Sequence, residues 1–180
     1  MTTPKDVISR VVPPAPPGLH MIMGPTEMQN MVLFSLAKRL EAGTTIYWID
    51  AGNRFDAYGL GNAARAAQLD ERTVLSHVQI ARPFTAIQLT AMLANKLPMI
   101  SPMCPVIIAD PMALFYDHEM QEEELNRILR NFIEVVDKLH RPVLALTVYR
   151  QVPPGRGGLS RRLLKHVQTI ARYQPMEAIE

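Results

Sequence analysis

The sequence is poor in the residues that build disulfides, zinc sites and membrane spans. Cys104 is the only cysteine among 180 residues, which excludes an intrachain disulfide and a cysteine-based zinc site. We expect Cys104 to be a buried apolar residue. No apolar run reaches the roughly 18–20 residues that cross a bilayer, and the N-terminus lacks a hydrophobic signal core. The sequence therefore predicts a cytoplasmic protein without a membrane segment.

The composition is typical of one globular domain. Hydrophobic residues make up 48% of the chain and charged residues 20%, which argues against disorder and coiled coil. Residues 1–17 are rich in proline and show no helical or strand periodicity, so we predict an extended N-terminal arm. Residues 18–180 are expected to form a single domain, in which 151–175 is a basic loop and C-terminal segment.

Charge is distributed unevenly along the chain, although the formal net charge is only +2. The stretch 138–176 contains eight basic residues and no acidic one. The eight are Lys138, Arg141, Arg150, Arg156, Arg161, Arg162, Lys165 and Arg172. An excess of one sign favours an anionic partner.

Short apolar runs alternate with segments of helical periodicity, which predicts an α/β fold. The strands are expected at 19–24, 44–50, 76–81, 104–110 and 142–149. The helices are expected at 27–41, 58–69, 85–96 and 119–139. Such alternation predicts a mostly parallel central sheet with helices on both faces and with 19–24, 44–50, 104–110 and 142–149 at its centre. Ligands of such sheets bind beyond the carboxyl ends of the strands, so the informative residues are expected at 24–30, 50–55, 110–117 and from 149 onward.

Several apolar side chains are interpreted as core residues rather than as a binding surface. Trp48 lies inside a predicted strand. The methionines expected to pack in the core are Met21, Met23, Met28, Met31, Met92 and Met112. The helix at 85–96 is predicted to turn Ile87, Leu89, Met92 and Leu93 inward.

Four segments resemble, in order, the core of the RecA/RadA recombinase family and the related KaiC-like ATPases. They are IMGPTEMQNMVLFSLAKRL, IYWIDAGNRFDAYGL, LSHVQIARPFTAIQLTAML and PVIIADPMALFYD. The resemblance covers roughly Gly18 to Arg150 and implies a RecA-like P-loop NTPase fold. It also implies that the first segment is the phosphate-binding strand, loop and helix, and that the fourth is the Walker B strand ending at Asp110.

The phosphate-binding motif of that family is degenerate in this chain. A working loop reads G-x-x-x-x-G-K-[ST], and its lysine and hydroxyl hold phosphate and magnesium. After Gly24, an ungapped comparison puts Gln29, Asn30 and Met31 at the second glycine, the lysine and the hydroxyl residue. A one-residue deletion puts Gln29 and Asn30 at the lysine and hydroxyl positions instead. Neither comparison restores the motif.

Other departures also oppose nucleotide chemistry. Pro25 removes a backbone N–H donor, and Glu27 adds negative charge where polyphosphate would lie. Gly52 stands where the resemblance places a glutamate that positions water. We therefore predict no enzymatic activity and no cofactor. The degenerate nucleotide site is assigned to Gly24, Thr26, Gln29, Asn30 and Asp110.

No metal site is predicted. Asp110 matches the Walker B carboxylate, but without its partners it is interpreted as a residue that caps a turn or helix. A possible ligand cluster consists of Asp117, His118, Glu119 and Glu122. Capping of the helix at 119–139 by Asp117 is the favoured interpretation of that cluster.

The basic segment 151–175, here called the basic tail, is the main candidate for function. In the resembled recombinases the corresponding segment is a mobile, glycine-containing loop that contacts single-stranded DNA. Gly155, Gly157 and Gly158 are expected to make the segment flexible. The predicted DNA-binding residues are Arg150, Arg156, Arg161, Arg162 and Lys165. The alternative is that the last three form a solvated helix face.

These observations favour a catalytically inactive RecA/RadA-like paralogue in DNA repair or recombination. Its partners would be DNA, single-stranded in the favoured interpretation, or a RecA/RadA-family protein, and homo-oligomers are compatible with it. One alternative is a KaiC-like nucleotide-binding regulatory protein. The other is a protein-interaction scaffold subunit.

Overall fold

The computed structural model describes residues 16–116 and 119–173. Within these ranges the six strands are β1 (Gly18–Gly24), β2 (Ile46–Asp50), β3 (Val78–Ala81), β4 (Val106–Ala109), β5 (Pro142–Val148) and β6 (Val167–Arg172). The α-helices are α1 (Glu27–Ser35), α2 (Ala37–Glu41), α3 (Ala57–Ala66), α4 (Glu71–Ser76), α5 (Ala86–Asn95), α6 (Met112–Phe115), α7 (Glu122–Lys138) and α8 (Gly157–Leu164). Nearly all of the predicted N-terminal arm lies outside the described residues.

All six strands are parallel and form one sheet in the order β3-β2-β4-β5-β1-β6. The predicted α/β class is confirmed, as is the prediction that β1, β2, β4 and β5 lie together at the centre. The connections β1–β2 and β2–β3 run toward the β3 end of the sheet, and their helices pack on one face. The connections β3–β4, β4–β5 and β5–β6 run toward the β6 end, and their helices pack on the other face. All connections therefore have the same hand, as expected for parallel strands. The six strands end at a common edge, here called the carboxyl edge.

The four central strands, β1, β2, β4 and β5, are mostly buried, which explains why they are nearly continuous apolar runs. Helices α1 to α4 pack on the face that includes Trp48, and α5, α7 and α8 pack on the opposite face. The ring of Trp48 contacts the ring of Phe55 edge to face, with centroids 5.8 Å apart. Trp48 and Cys104 are buried, as predicted.

Helix α7 is amphipathic, and its apolar residues form the face that packs against the sheet. Its buried residues recur at helical spacing: Leu125, Ile128, Leu129, Phe132, Ile133 and Val136. Three glutamates occupy its first turn and Lys138 its last, which suits the helix dipole. The helix begins at Glu122 rather than at 119 as predicted, with Gln121 as N-cap. Asp117, the predicted cap, lies outside the described residues.

Other boundaries also differ from the prediction. The helix expected over 27–41 is broken at Leu36, where the hydroxyl of Ser35 donates to the carbonyl of Val32 at 2.6 Å. Such bonds back to the preceding turn bend helices. Helix α4 was not predicted, and it shortens the following strand because it extends through Ser76.

Two side chains that were expected in the core are exposed. Ile87 is 50% exposed and Met31 is 52% exposed. Both lie on helices whose buried face is made by other residues, Leu89 and Leu93 in α5 and Met28 and Val32 in α1. Of the other methionines, Met21, Met28 and Met112 are buried and Met23 and Met92 are half-buried.

Candidate functional site at the carboxyl edge of the sheet

The segments that follow the strands meet at the carboxyl edge, where sheets of this kind bind ligands. Asp50 ends β2 and Asp110 follows β4, and both are buried. Arginine side chains follow three of the strands: Arg54 after β2, Arg82 after β3 and Arg150 after β5. Buried carboxylates and partly exposed guanidinium groups therefore lie close together at the carboxyl edge.

The connection from β1 to α1 is short and closely packed. Only Pro25 and Thr26 separate the strand from the helix. The N–H of Met28 donates to the carbonyl of Pro25 at 3.1 Å, and the N–H of Gln29 donates to that of Thr26 at 3.2 Å. These two amides are consequently engaged inside the turn rather than directed at a ligand.

Gly24 is required by close packing at this turn. A Cβ at Gly24 would lie 2.9 Å from the Cβ of Tyr173 and 3.1 Å from that of Met28. The N–H of Tyr173 also donates to the carbonyl of Met23 at 2.7 Å. The chain after β6 therefore packs over the place that the resemblance assigns to the phosphate loop.

The remaining residues of the predicted nucleotide site do not form a polar cradle. Thr26 is the N-cap of α1, but its side chain makes no capping hydrogen bond. Gln29 is buried, and its Nε2 has no hydrogen-bond partner in the described part of the chain. Asn30 is half-buried on the same helix.

Asp50 holds the loop after β2 in place. Its carboxylate accepts the N–H of Arg54 at 2.8 Å and the N–H of Phe55 at 3.1 Å. It also accepts Nε of Arg82 at 3.0 Å. Hydrogen bonds to an ionised acceptor are stronger than neutral ones, so Asp50 is a firm link between the ends of β2 and β3.

Asp110 is paired with Arg150 and is not the N-cap of α6, so its interpretation as a helix cap is wrong. Nη2 of Arg150 donates to Oδ2 of Asp110, and the N–H of Val148 also bonds the carboxylate. The N-cap of α6 is Pro111. Asp110 has a left-handed φ of 61°, which is uncommon for a residue other than glycine.

The electrostatic balance at Asp110 is unfavourable to its charged form. Burial raises the pKa of the Asp110 carboxyl above its ordinary value, although the charge of Arg150 and the Val148 N–H act in the opposite direction. Oδ1 of Asp110 has no hydrogen-bond partner among the described residues. Gly52 lies directly beside it, because a Cβ there would be 3.0 Å from the Cβ of Asp110.

The basic tail is more ordered than predicted. Gly157 and Gly158 begin α8 rather than a flexible loop, and Leu159 and Leu163 anchor this helix to the core. The helix was anticipated only by the alternative interpretation of the tail. Strand β6, which follows it, was not predicted.

The predicted DNA-binding residues have different environments. Arg156 is buried and donates to the carbonyl of Met120, which argues against direct phosphate contact at this residue. Nη1 of Arg162 donates to Oδ1 of Asn126 at 2.8 Å. Nε of Arg161 donates to the carbonyl of Gly157 within its own helix at 3.1 Å. Arg161 and Lys165 are exposed, and Arg150 is engaged by Asp110.

Sequence reasoning placed Asp50 and Arg54 among the residues beyond the strand ends but gave them no role, and it missed Arg82 as a member of the edge. The signal for Asp50 was its position at the end of an apolar strand, and the signal for Arg82 was the Ala-Arg pair in the third segment of the resemblance. Their association depends on the parallel pairing of β2 with β3.

Comparisons of the chain with models of known protein families and with curated proteins give no match. In residues 16–116 and 119–173, no group of three or more histidine, cysteine or acidic side chains is arranged to hold a metal ion. Within the same ranges, no helix has the length and apolarity of a membrane span. Of the predicted cluster at 117–122, the first two residues lie outside these ranges.

Proposed function

We propose that the protein is a RecA/RadA-like binding protein that has lost ATPase chemistry and acts on single-stranded DNA or on a recombinase-family partner in DNA repair or recombination. The observation that carries the proposal is the closed β1–α1 connection. Two residues span it, Gly24 packs against Met28 and Tyr173, and neither Gln29 nor Asn30 replaces a phosphate-binding lysine. The proposed location remains the cytoplasm.

The surroundings of Asp110 support the loss of nucleotide chemistry. Phosphoryl transfer depends on positioning and on neutralisation of charge by a lysine and magnesium. Here Arg150 pairs with the carboxylate that the resemblance assigns to magnesium. The approach of Gly52 to Asp110 leaves little room for the glutamate side chain that would position water.

Fewer than eight of the basic residues in the stretch 138–176 are available to contact a nucleic acid. Arg141 and Arg156 are buried, and Arg150 is paired. The exposed members of the basic stretch near α8 and β6 are Arg161, Lys165 and Arg172. Three phosphate contacts on a single strand predict that log affinity falls with log salt at a slope of about −2.

The test is the salt dependence of binding to a labelled single-stranded oligonucleotide, measured by fluorescence anisotropy. The double variant Arg161→Ala with Lys165→Ala should reduce the magnitude of the slope by about 1.4, because two phosphate contacts are lost. The matched control is Lys38→Ala with Arg39→Ala, which removes two exposed charges from α2 on the other face of the sheet. An equal change in both variants, or no salt dependence, would contradict DNA binding through the tail.

Exposed apolar side chains favour a second function, a protein-interaction scaffold. Tyr58, Phe84, Met99 and Met103 are all strongly exposed, and aromatic and methionine side chains are enriched in protein interfaces. Light scattering coupled to gel filtration tests for assembly of the chain with itself. A concentration-dependent mass that falls on Phe84→Ser would support the scaffold, and an unchanged monomer mass would remove self-assembly as its basis.

A further inference from the structure

A basic cavity of about 250 Å³ lies at the edge of the sheet opposite the carboxyl edge. It is enclosed by the 3₁₀ turn Leu97–Met99 with the loop after it, and by the connection from α7 to β5. Three of its lining residues carry basic side chains: Lys138, His140 and Arg141. Its other walls are apolar: Leu97, Pro98, Ile100, Pro102 and Leu139. No acidic residue lines it among the described residues.

Arg141 gives this cavity an uncompensated positive charge. It is only 7% exposed, and its guanidinium donates to backbone carbonyls alone. The carbonyls belong to Leu97 at 3.4 Å, Ile100 at 3.2 Å, Ser101 at 3.0 Å and Cys104. Nε of Arg141 has no partner in the described part of the chain. Buried charges are normally paired, because their loss of hydration is costly.

The electrostatics agree with this geometry. Burial lowers the pKa of Arg141 below its ordinary value, as expected for a cation that has lost water without gaining a full counter-charge. An anion in the adjacent cavity would supply that counter-charge. Carbonyl dipoles offset part of the lost hydration but leave the net charge in place.

Lys138 and His140 are exposed residues of the same cavity lining. Lys138 lies in the last turn of α7. His140 has a left-handed φ of 47°, at the sharp connection that leads into β5. The nearest acidic residues on α7, Glu134 and Asp137, are exposed and do not line the cavity.

We propose that this cavity binds a small oxyanion, namely a phosphate group that is either free or the terminal group of a larger molecule. Lys138 and His140 contact it from the exposed side, and Arg141 provides positive charge from the wall. None of the cavity's lining residues belongs to the carboxyl edge or to α8, so the proposal does not depend on the proposed DNA binding. The competing explanation is that Lys138 serves only the dipole at the end of α7.

The test is titration with inorganic phosphate at constant ionic strength, with chloride as the balancing anion, followed by amide chemical shifts. Saturable shifts are expected at residues around the cavity. The double variant Lys138→Ala with His140→Gly should weaken phosphate binding at least tenfold, and glycine suits the left-handed backbone at position 140. Lys38→Ala removes an exposed charge from the opposite face and should leave the affinity unchanged.

Glycerol phosphate in place of inorganic phosphate distinguishes the two sources. Tighter binding of the ester would indicate the terminal group of a larger molecule, and tighter binding of inorganic phosphate would indicate the free ion. Shifts that match those caused by chloride, or equal affinity of the wild type and the double variant, would overturn the proposal. Circular dichroism of each variant establishes that the fold is retained.

Discussion

The ends of β2 and β4 carry two buried aspartates that are held in different ways. Asp50 has both oxygens engaged, by the backbone N–H groups of Arg54 and Phe55 and by Arg82. Asp110 leaves Oδ1 without a partner among the described residues and lies at a left-handed φ. Asp50 pairs in register with Ala109, the residue before Asp110, so two carboxylates at neighbouring strand ends have different environments.

The two carboxylates differ in how many hydrogen-bond donors replace the water that each lost on burial. A buried carboxylate is stable as an anion when several donors surround it and is costly when they do not. Asp50 receives two backbone donors and a guanidinium, and it fixes the loop after β2. Burial raises the pKa of the Asp110 carboxyl. The ion pair with Arg150 therefore stabilises the fold less than its contact alone would suggest.

The largest expected effect is that of Asp50→Ala. Removal of the side chain leaves two partly buried N–H groups without an acceptor and frees Arg82. We expect the free energy of unfolding to fall by about 3 kcal/mol, because each donor left without an acceptor costs about 1–3 kcal/mol, whereas the partly exposed Arg82 is rehydrated at little cost. Urea denaturation measures this change. Asp70→Ala, which removes an exposed N-cap from α4, is the control, and an equal loss in both variants would contradict the role given to Asp50.

A smaller loss is expected for Gly52→Ala, which tests how closely the β2 loop approaches Asp110. The added Cβ would lie 3.0 Å from the Cβ of Asp110, and overpacking of this kind costs about 1–3 kcal/mol. The matched control is Gly157→Ala, where a Cβ meets nothing within 4 Å. Thermal or urea unfolding should show a loss for the first variant only. Equal stability of both variants would show that the loop has room for a side chain.

The smallest effect is expected for Asp110→Asn, and it should depend on pH. Because the folded pKa of Asp110 is raised, the wild type loses stability as pH rises from the unfolded value near 4 through the folded value. The asparagine variant does not lose this stability, because its side chain does not ionise. The Arg150 side chain is 30% exposed, so water can replace its ion pair. The variant should therefore gain relative to the wild type as pH rises, by about 1 kcal/mol or less for a partly screened pair.

Asp70→Asn is the matched control for that pH series. The hydroxyl and N–H of Thr73 lower the pKa of Asp70, so its contribution to stability is present above the unfolded pKa and is lost as pH falls. The two variants should therefore diverge from the wild type in opposite directions at neutral pH. Parallel pH profiles would contradict the contrast between the two carboxylates.

The four central strands were predictable because they are buried on both faces. Runs such as Val106–Ala109 and Pro142–Val148 are almost wholly apolar, and this pattern is unambiguous when helical segments separate the runs. Helix α8 was not predictable from local preference, because it begins with Gly157 and Gly158, which disfavour helix. Burial of its two leucines stabilises it. Strand β6 is the last strand of the sheet, and its exposed residues alternate with half-buried ones and with the buried Ala171, so its sequence gives a weaker signal.

The candidate site was only partly predictable, because its contacts join distant parts of the chain. Asp110 and Arg150 are 40 positions apart, and Asp50 and Arg82 are 32 apart. Counting charges along the tail could not show that Arg141 and Arg156 donate to carbonyls inside the fold. By contrast, the sequence shows directly that residues 24–31 contain no lysine.

The most direct test of the account is calorimetric titration of the protein with ATP and magnesium. The closed β1–α1 connection and the pairing of Asp110 with Arg150 predict no saturable heat up to millimolar nucleotide and no hydrolysis above a buffer blank. Saturable binding at the carboxyl edge that is lost when the Gly24 turn is altered, or measurable turnover, would contradict the proposal that nucleotide chemistry has been lost.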